Sequence, residues 1–490
     1  MIVHRETLGR ERSVHGSRWG FRASIALFMQ AVVVSAAVGT SFIYGTSSGT
    51  ITAQTAYLHG SENWMHLSAG DYSCAGGVLP EGKVDPGMTY DLNGNRVVMW
   101  GGYNVCTATT DRNTSVYHGE TGGKNGQWST LSTSGTTLSS EQGAAMAYCP
   151  AECVYLAPDN GFDFLYGGIN PNGYFNGVLF GLEGTTWSAV CNPANQPCFY
   201  SSYVYSGNTI TTTCSATTNG FDVWQQYLEG ASLAWDPADQ SLYLFGGLGL
   251  TYINGCYKTS SNGCAYQSSV CFFDDMWRLT YNTADFGATY PIGWEPVCGE
   301  FATGTACGPS NRAYASMAYD PSTGYLVLYG GYGCSTASNL LCTTTSSPGV
   351  LTDTWYFAPS GTTWTKCTST TTVYSCASTP ANGADAAMTY DYANGSLLLF
   401  GGCSAGFSLA TNDYPNGCTT PVQNSWVMGK WTGTTPLLER EWVGLGVLSP
   451  SPPASWGARM VYDLADGYIV WYGGEGSAYW AQTWIYSYGH

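Results

Sequence analysis

The chain has 490 residues, of which only 10% are charged, against about 25% in ordinary soluble domains, and its net charge is −17. With 63 Gly, 18 Trp, 36 Tyr and 17 Phe, it holds too much aromatic surface for a disordered chain and is poor in the residues that build helical bundles. Beyond residue 45, 11 basic residues face 31 acidic ones, a balance that repels phosphate backbones and excludes a nucleic-acid-binding role.

The amino terminus differs from the rest. Residues 1–22 are a basic leader carrying Arg5, Arg10, Arg12, Arg18 and Arg22. Residues 23–44 are apolar apart from Gln30 and small Ser, Thr and Gly, about the length of a transmembrane helix. The arginines place the leader in the cytoplasm and the remainder outside. A cleaved signal peptide ending near Ser35-Ala36-Ala37 is the alternative, and the length of the polar leader favours an uncleaved anchor. Residues 45–60 read as a linker. The membrane would then be met through this segment only, and the localisation is the outer face of a membrane or the secreted state.

From residue 61 onward one pattern recurs six times. Gly87-Met-Thr-Tyr-Asp91 leads to Val97-Val-Met-Trp-Gly-Gly102, and Ala145-Met-Ala-Tyr148 leads to Phe164-Leu-Tyr-Gly-Gly168. Ser232-Leu-Ala-Trp-Asp236 precedes Leu242-Tyr-Leu-Phe-Gly-Gly247, and Ser316-Met-Ala-Tyr-Asp320 precedes Leu326-Val-Leu-Tyr-Gly-Gly331. Ala387-Met-Thr-Tyr-Asp391 and Arg459-Met-Val-Tyr-Asp463 open the last two, which run to Gly402 and Gly474. Each is a strand, a tight turn and a second strand ending in Gly-Gly: the aromatic and branched residues suit buried strands, and Asp-Pro with a later Gly is turn chemistry. The glycine pair lets backbones approach where a side chain would not fit. A third strand follows each Gly-Gly (Asp275-Met-Trp-Arg278, Asp353-Thr-Trp-Tyr356), then a fourth with a Trp (Gly184-Thr-Thr-Trp187, Gly361-Thr-Thr-Trp364).

These spaced Tyr-Asp, Gly-Gly and Trp signatures resemble the kelch repeat over residues 61–490. The resemblance implies an all-β, six-bladed β-propeller. The second unit departs from it, with Cys149 in place of Asp. The last unit lacks a fourth strand, and Glu62-Asn-Trp-Met-His-Leu67 is expected to supply it from the start of the domain, leaving no open edge.

In such a blade the connections from strand two to three and from strand four to the next blade share one face. Those connections are long, and 16 of the 18 cysteines fall in or beside them; Cys149 and Cys153 do not. The even count, the absence of CxxC and the scarcity of histidine point to disulfides and an oxidising compartment instead of zinc. Neighbouring pairs are the simplest expectation (Cys149/Cys153, Cys191/Cys198, Cys256/Cys264, Cys298/Cys307, Cys334/Cys342, Cys367/Cys376, Cys403/Cys418), with Cys74, Cys106, Cys214 and Cys271 also candidates. Asn113 and Asn394 begin glycosylation sequons. The long loops hold aromatic clusters, Tyr200, Tyr203 and Tyr205 in one and Tyr252, Tyr257 and Tyr266 in another, a residue type that stacks on sugars or anchors protein partners.

Catalytic patterns are thin. A copper radical site cannot be built where no histidine stands between His118 and His490, and only Arg96, Arg112, Arg278, Arg312, Arg440 and Arg459 remain beyond the leader for the arginine cluster that sialidase-like propellers need. Arg312 and Arg459, just before first strands, read as structural. Glu300, Asp353, Asp385, Asp413 and Glu475 are the acids near the loop face, each read as solvated surface. Neither cofactor nor metal is expected. The leading function is therefore extracellular binding or adhesion to a surface protein or glycan, with a structural envelope component and a carbohydrate-active enzyme as alternatives.

Overall fold

The computed structural model describes residues 62–67, 80–119, 126–150, 161–191, 199–201, 222–253, 256–257, 270–281, 292–299, 305–335, 347–358, 361–409, 417–429 and 440–488, with Thr303, Cys342 and four short strands between residues 40 and 56. Every regular element among them is a β-strand. Two units separate, residues 1–61 with 488–490, and residues 62–487. In the first, Thr40–Phe42 pairs with Gln54–Ala56 and Gly45–Thr46 with Gly49–Thr50. The expected membrane span 23–44 lies outside the described residues except for Thr40–Phe42, which are strand and not helix. Among the described residues no helix is long and apolar enough to cross a membrane.

The second unit is a series of antiparallel four-stranded meanders, one per sequence repeat. The first contains Gly87–Asp91, Arg96–Trp100, Thr114–His118 and Gln127–Thr130 in that order. The sixth contains Trp456–Asp463, Tyr468–Glu475 and Thr483–Tyr488, and its outer strand is Glu62–His66. Leu67 N–H donates to the Thr483 carbonyl at 3.0 Å as that strand ends. In this way the start of the unit pairs with its end.

The second strand of each repeat is apolar without alternation because both of its faces are covered. Val97 and Met99 pack toward the sixth repeat, with Val470 and Tyr472, while Val98 and Trp100 face the second, with Leu165 and Phe180. The same division recurs at every junction, so six apolar clusters fill the six spaces between successive repeats, sixth to first included. The Asp after each Tyr earns its place in the turn: Asp91 Oδ1 accepts from the Asn93 and Gly94 N–H groups, and Asp463 Oδ1 from those of Ala465 and Asp466.

The Gly-Gly signature has a common cause. A β-carbon on the first glycine would stand 2.1–2.7 Å from a carbonyl oxygen of the following repeat: Gly101 against Glu141, Gly167 against Leu228, Gly246 against Arg312, Gly330 against Gly383 and Gly401 against Ser455. Gly473 meets the Lys83 oxygen at 2.6 Å, which carries the pattern from the sixth repeat to the first.

Candidate functional site

The innermost strands meet at one position per repeat, two residues before the residue that opens each repeated first-strand motif (Gly87, Ala145, Ser232, Ser316, Ala387 and Arg459). Asp85, Gly143, Gly230, Tyr314, Asp385 and Gly457 all have positive φ, from 54° to 68°. Their backbones form a closed cycle. Gly143 N–H donates to Asp85 O, Gly230 to Gly143, Tyr314 to Gly230, Asp385 to Tyr314, Gly457 to Asp385, and Asp85 to Gly457, over 2.6–3.2 Å. Glycine takes this conformation readily, whereas tyrosine does so at a cost of order 1 kcal/mol or more. Three side chains are therefore held at the centre of the unit by the cycle itself: Asp85, Tyr314 and Asp385.

The three glycines make room for them. The Tyr314 ring lies across Gly230 and its hydroxyl reaches Gly143, each close enough to exclude a β-carbon's neighbourhood (2.8 and 3.2 Å). Gly457 leaves space where Asp85 Oδ1 and Asp385 Oδ2 approach, at 3.0 and 3.4 Å from its would-be β-carbon. Arg459 enters from the sixth inner strand between the two acids, with Nη1 to Asp385 Oδ1 at 3.1 Å and Nη2 to Asp85 Oδ1 at 3.2 Å. Its Nη1 also donates to the Ala458 carbonyl at 3.0 Å.

The electrostatics are those of acids short of cations. Burial, then the Asp85 charge, hold Asp385 well above the usual carboxylate range, with Arg459 pulling the other way. Glu229, which precedes the cycle's Gly230, is pushed up to about 8 by burial and by Asp85, against the Tyr314 hydroxyl beside it. Glu475 rises to about 7 for the same two reasons. Arg459 pairs with Asp85 and Asp385, while burial pushes the neighbouring Glu229 and Glu475 toward their neutral forms.

Beside this cluster a half-open cavity of about 230 Å³ runs down the inner strands of all six repeats. Its wall is mostly Gly, Ala, Ser and Met, with Tyr314, Asp385 and Arg459 at its charged end. Over the cycle the loops pack a core of their own that includes Tyr103, Phe272, Tyr314, Phe407 and Trp456. Phe407 meets Tyr314 at 5.5 Å and Trp456 at 6.1 Å between ring centroids.

Disulfides staple this same end, because the start of strand one and the ends of strands two and four share one edge of a meander. Cys298–Cys307, Cys334–Cys342, Cys367–Cys376 and Cys403–Cys418 are formed, each between the neighbours expected from spacing. Cys106, Cys149, Cys191 and Cys271 are disulfide-bonded too, and no free cysteine occurs among the described residues. Four disulfides indicate an oxidising, extracellular or secreted setting.

Three of the six aromatic candidates, Tyr200, Tyr252 and Tyr257, fall on an added sheet. Phe199–Ser201 runs parallel to the outer strand of the third repeat, with Phe199 opposite Trp294, and pairs on its other side with Asp222–Glu229. Leu248–Ile253 and Cys256–Tyr257 extend it. Tyr200 thus sits opposite Val223, and Tyr252 opposite Tyr257. Tyr203, Tyr205 and Tyr266 lie outside the described residues, as do Cys74, Cys153, Cys198, Cys214, Cys264, Glu300 and Asp413.

Several expectations about charged residues need correction: Asp353 and Glu475 are not solvated surface acids, since Asp353 is part-buried against the buried Arg312 and Glu475 has its Oε2 fully buried. Asp385 is not a solvated surface acid but 4% exposed at the centre of the unit, because its positive-φ position turns it inward onto Arg459. Arg459 in turn lies within its first strand and lines the cavity. Arg312 does serve structure: it is fully buried, holding Asp353 at 2.6 Å and the Gly330 carbonyl at 2.8 Å. Asp85, Glu229 and Tyr314 were not singled out from sequence. Aligning the six repeats on their first strands exposes Asp85 and Tyr314, since three glycines share a column with Asp, Tyr and Asp. Among the described residues no group of His, Cys, Asp and Glu could hold a metal ion.

No protein-family model matches the chain, and no curated protein matches it. Among solved structures it is similar to one titled "Structure of YjhT", at 12% identity over 84% of this chain and 91% of that one, with a TM-score of 0.41. That likeness is too slight to bear on function.

Proposed function

We propose that residues 62–487 form a six-bladed, kelch-like β-propeller that works outside the cell as a binding module, anchored through the amino-terminal segment and engaging a surface protein or glycan with its disulfide-stapled end. The closed hydrogen-bond cycle and the six shared cores support the propeller reading. The binding reading rests chiefly on one observation: four loops in succession, from the third repeat to the fifth, are closed by disulfides at the same end. Loops fixed in this way lose little entropy when they engage a partner, and rigid scaffolds that carry long loops commonly present their recognition residues there.

The test is binding by the intact, oxidised chain to a glycan array, with crosslinking to native cell surfaces alongside it. A variant with Tyr200, Tyr203 and Tyr205 replaced by Ala is expected to lose the captured partner. Capture unaffected by that variant and by reduction of the disulfides would contradict the proposal.

A further inference from the structure

The first repeat contains a buried amine. Lys83, in the short strand Lys83–Val84 that leads into the first inner strand, is 1% exposed. Its Nζ stands 2.9 Å from Asp111 Oδ2, in the connection between the second and third strands. Apart from Asp111, no acceptor among the described residues is in hydrogen-bonding geometry to Nζ. Burial lowers the pKa of Lys83, with Asp111 and then Glu81 opposing it, and so moves the amine toward its neutral, nucleophilic form.

Asp111 meets that amine as an electrophile. Its Oδ1 accepts from the Arg112 N–H at 2.6 Å and the Asn113 N–H at 3.0 Å, so two fixed donors stand where an oxyanion would form. Its main chain is held on both sides, the N–H donating to Gly102 O at 2.8 Å and the carbonyl accepting from Glu141 N–H at 3.2 Å. A further carboxyl is near. Glu81, two residues before Lys83, accepts from Asn104 Nδ2 at 2.6 Å, and Asn104 is opposite Lys83 in the sheet. Coulombic attraction in a buried ion pair offsets its desolvation poorly, whereas an amide has no charge to desolvate. We infer that Lys83 and Asp111 become joined by an intramolecular isopeptide bond in the folded chain, with Glu81 carrying a proton in the reaction.

The atoms balance without a second reactant. Within the pair a proton passes from the Lys83 ammonium to Asp111 Oδ2, leaving an amine beside a carboxylic acid. Nζ attacks Cγ, and Oδ1 takes the negative charge between the two N–H groups. Glu81 accepts a proton from Nζ and returns it to the hydroxyl on Cγ. The Cγ–Oδ2 bond breaks, water leaves and the Nζ–Cγ amide remains. Against burial, Lys83 holds Asp111 below the usual carboxylate range until the bond forms. The bond ties the entry of the first inner strand to the connection after the second, at the end that disulfides staple in later repeats. It goes beyond the proposed binding function and does not depend on it.

The test is peptide mapping of the full, oxidised chain after it has been denatured and reduced. Trypsin should fail to cut after Lys83. A branched peptide joining Lys83 to Asp111 should appear, lighter than its two parts by one water, about 18 Da. Asp111→Asn should give a branched peptide of the same mass as the parent's, because ammonia leaves in place of water. Lys83→Arg and Asp111→Ala should give none. Glu81→Gln should lower the linked fraction about tenfold or more at early times after folding, with the circular dichroism spectrum unchanged. Cleavage after Lys83, with Lys83 and Asp111 recovered in separate peptides of full mass, would overturn the inference. So would a branched peptide that maps to other residues. Linking as fast in Glu81→Gln as in the parent would overturn the step assigned to Glu81. The parent's map decides the matter even where a variant fails to fold.

Discussion

A β-carbon on Gly246 would stand 2.6 Å from the Arg312 carbonyl oxygen, at a φ of +66°. Both the contact and the dihedral oppose any side chain, so Gly246→Ala is expected to lower stability by about 2 kcal/mol or more in urea unfolding. Gly349, whose β-carbon would meet nothing within 4 Å, is the matching comparison, and Gly349→Ala should change stability by less than about 0.5 kcal/mol. Equal effects would mean that the Gly-Gly pairs do not mark the packing of one repeat on the next. The role of these glycines was legible in sequence because a repeated residue type announces a repeated constraint. The central acids were hidden for the opposite reason. Asp85, Tyr314 and Asp385 break their column, and nothing in a single repeat distinguishes an inward acid from a surface one.

Strand Glu62–His66 owes its place to one side chain above others. Trp64 is 1% exposed, packs on Phe400 and Tyr486 at 5.1 Å each, and donates from Nε1 to Ser425 Oγ at 3.2 Å. It joins the fifth and sixth repeats although it precedes both in the chain. Trp64→Ala is expected to cost about 3–5 kcal/mol, read by thermal melting; a change within error would show that the strand is dispensable. This pairing could be anticipated because the last repeat was one strand short. The added sheet of the third repeat could not, since its strands interrupt the repeat and carry no periodic signature. Among the four described disulfides, Cys403–Cys418 closes the longest loop, with a sequence separation of 15. Replacing both by Ser should reduce stability by about 3 kcal/mol on the chain-entropy estimate and expose residues near 409–417 to proteolysis. An unchanged digestion pattern would show that the loop is held by other contacts, such as its pairing of Cys403–Ser408 with Gly417–Pro421.

Among the described residues, buried carboxyls outnumber the cations able to meet them. Burial first, then neighbouring acids, raise Glu229 to about 8 and Asp463 and Glu475 to about 7. Burial likewise lifts Glu141 and Asp236 to about 7, against hydrogen bonds that pull each down. Each of these groups is held above its unfolded value, so the stability it contributes is complete below about pH 4 and is lost as pH rises toward 7–8. Asp111 and Asp353, held low by Lys83 and Arg312 against the cost of burial, act in the reverse sense at strongly acid pH. The melting temperature should therefore be higher near pH 5 than near pH 8.5. A flat or rising profile over that interval would contradict the burial of these acids.

The account turns on closure of the six repeats through the backbone cycle that holds the central site. Hydrogen exchange at the amides of Asp85, Gly143, Gly230, Tyr314, Asp385 and Gly457 tests it most directly. If the cycle is closed, all six exchange slowly and together, in one cooperative opening. Fast exchange at Asp85, whose N–H donates to the Gly457 carbonyl, with the others protected, would mean that the sixth repeat does not close on the first.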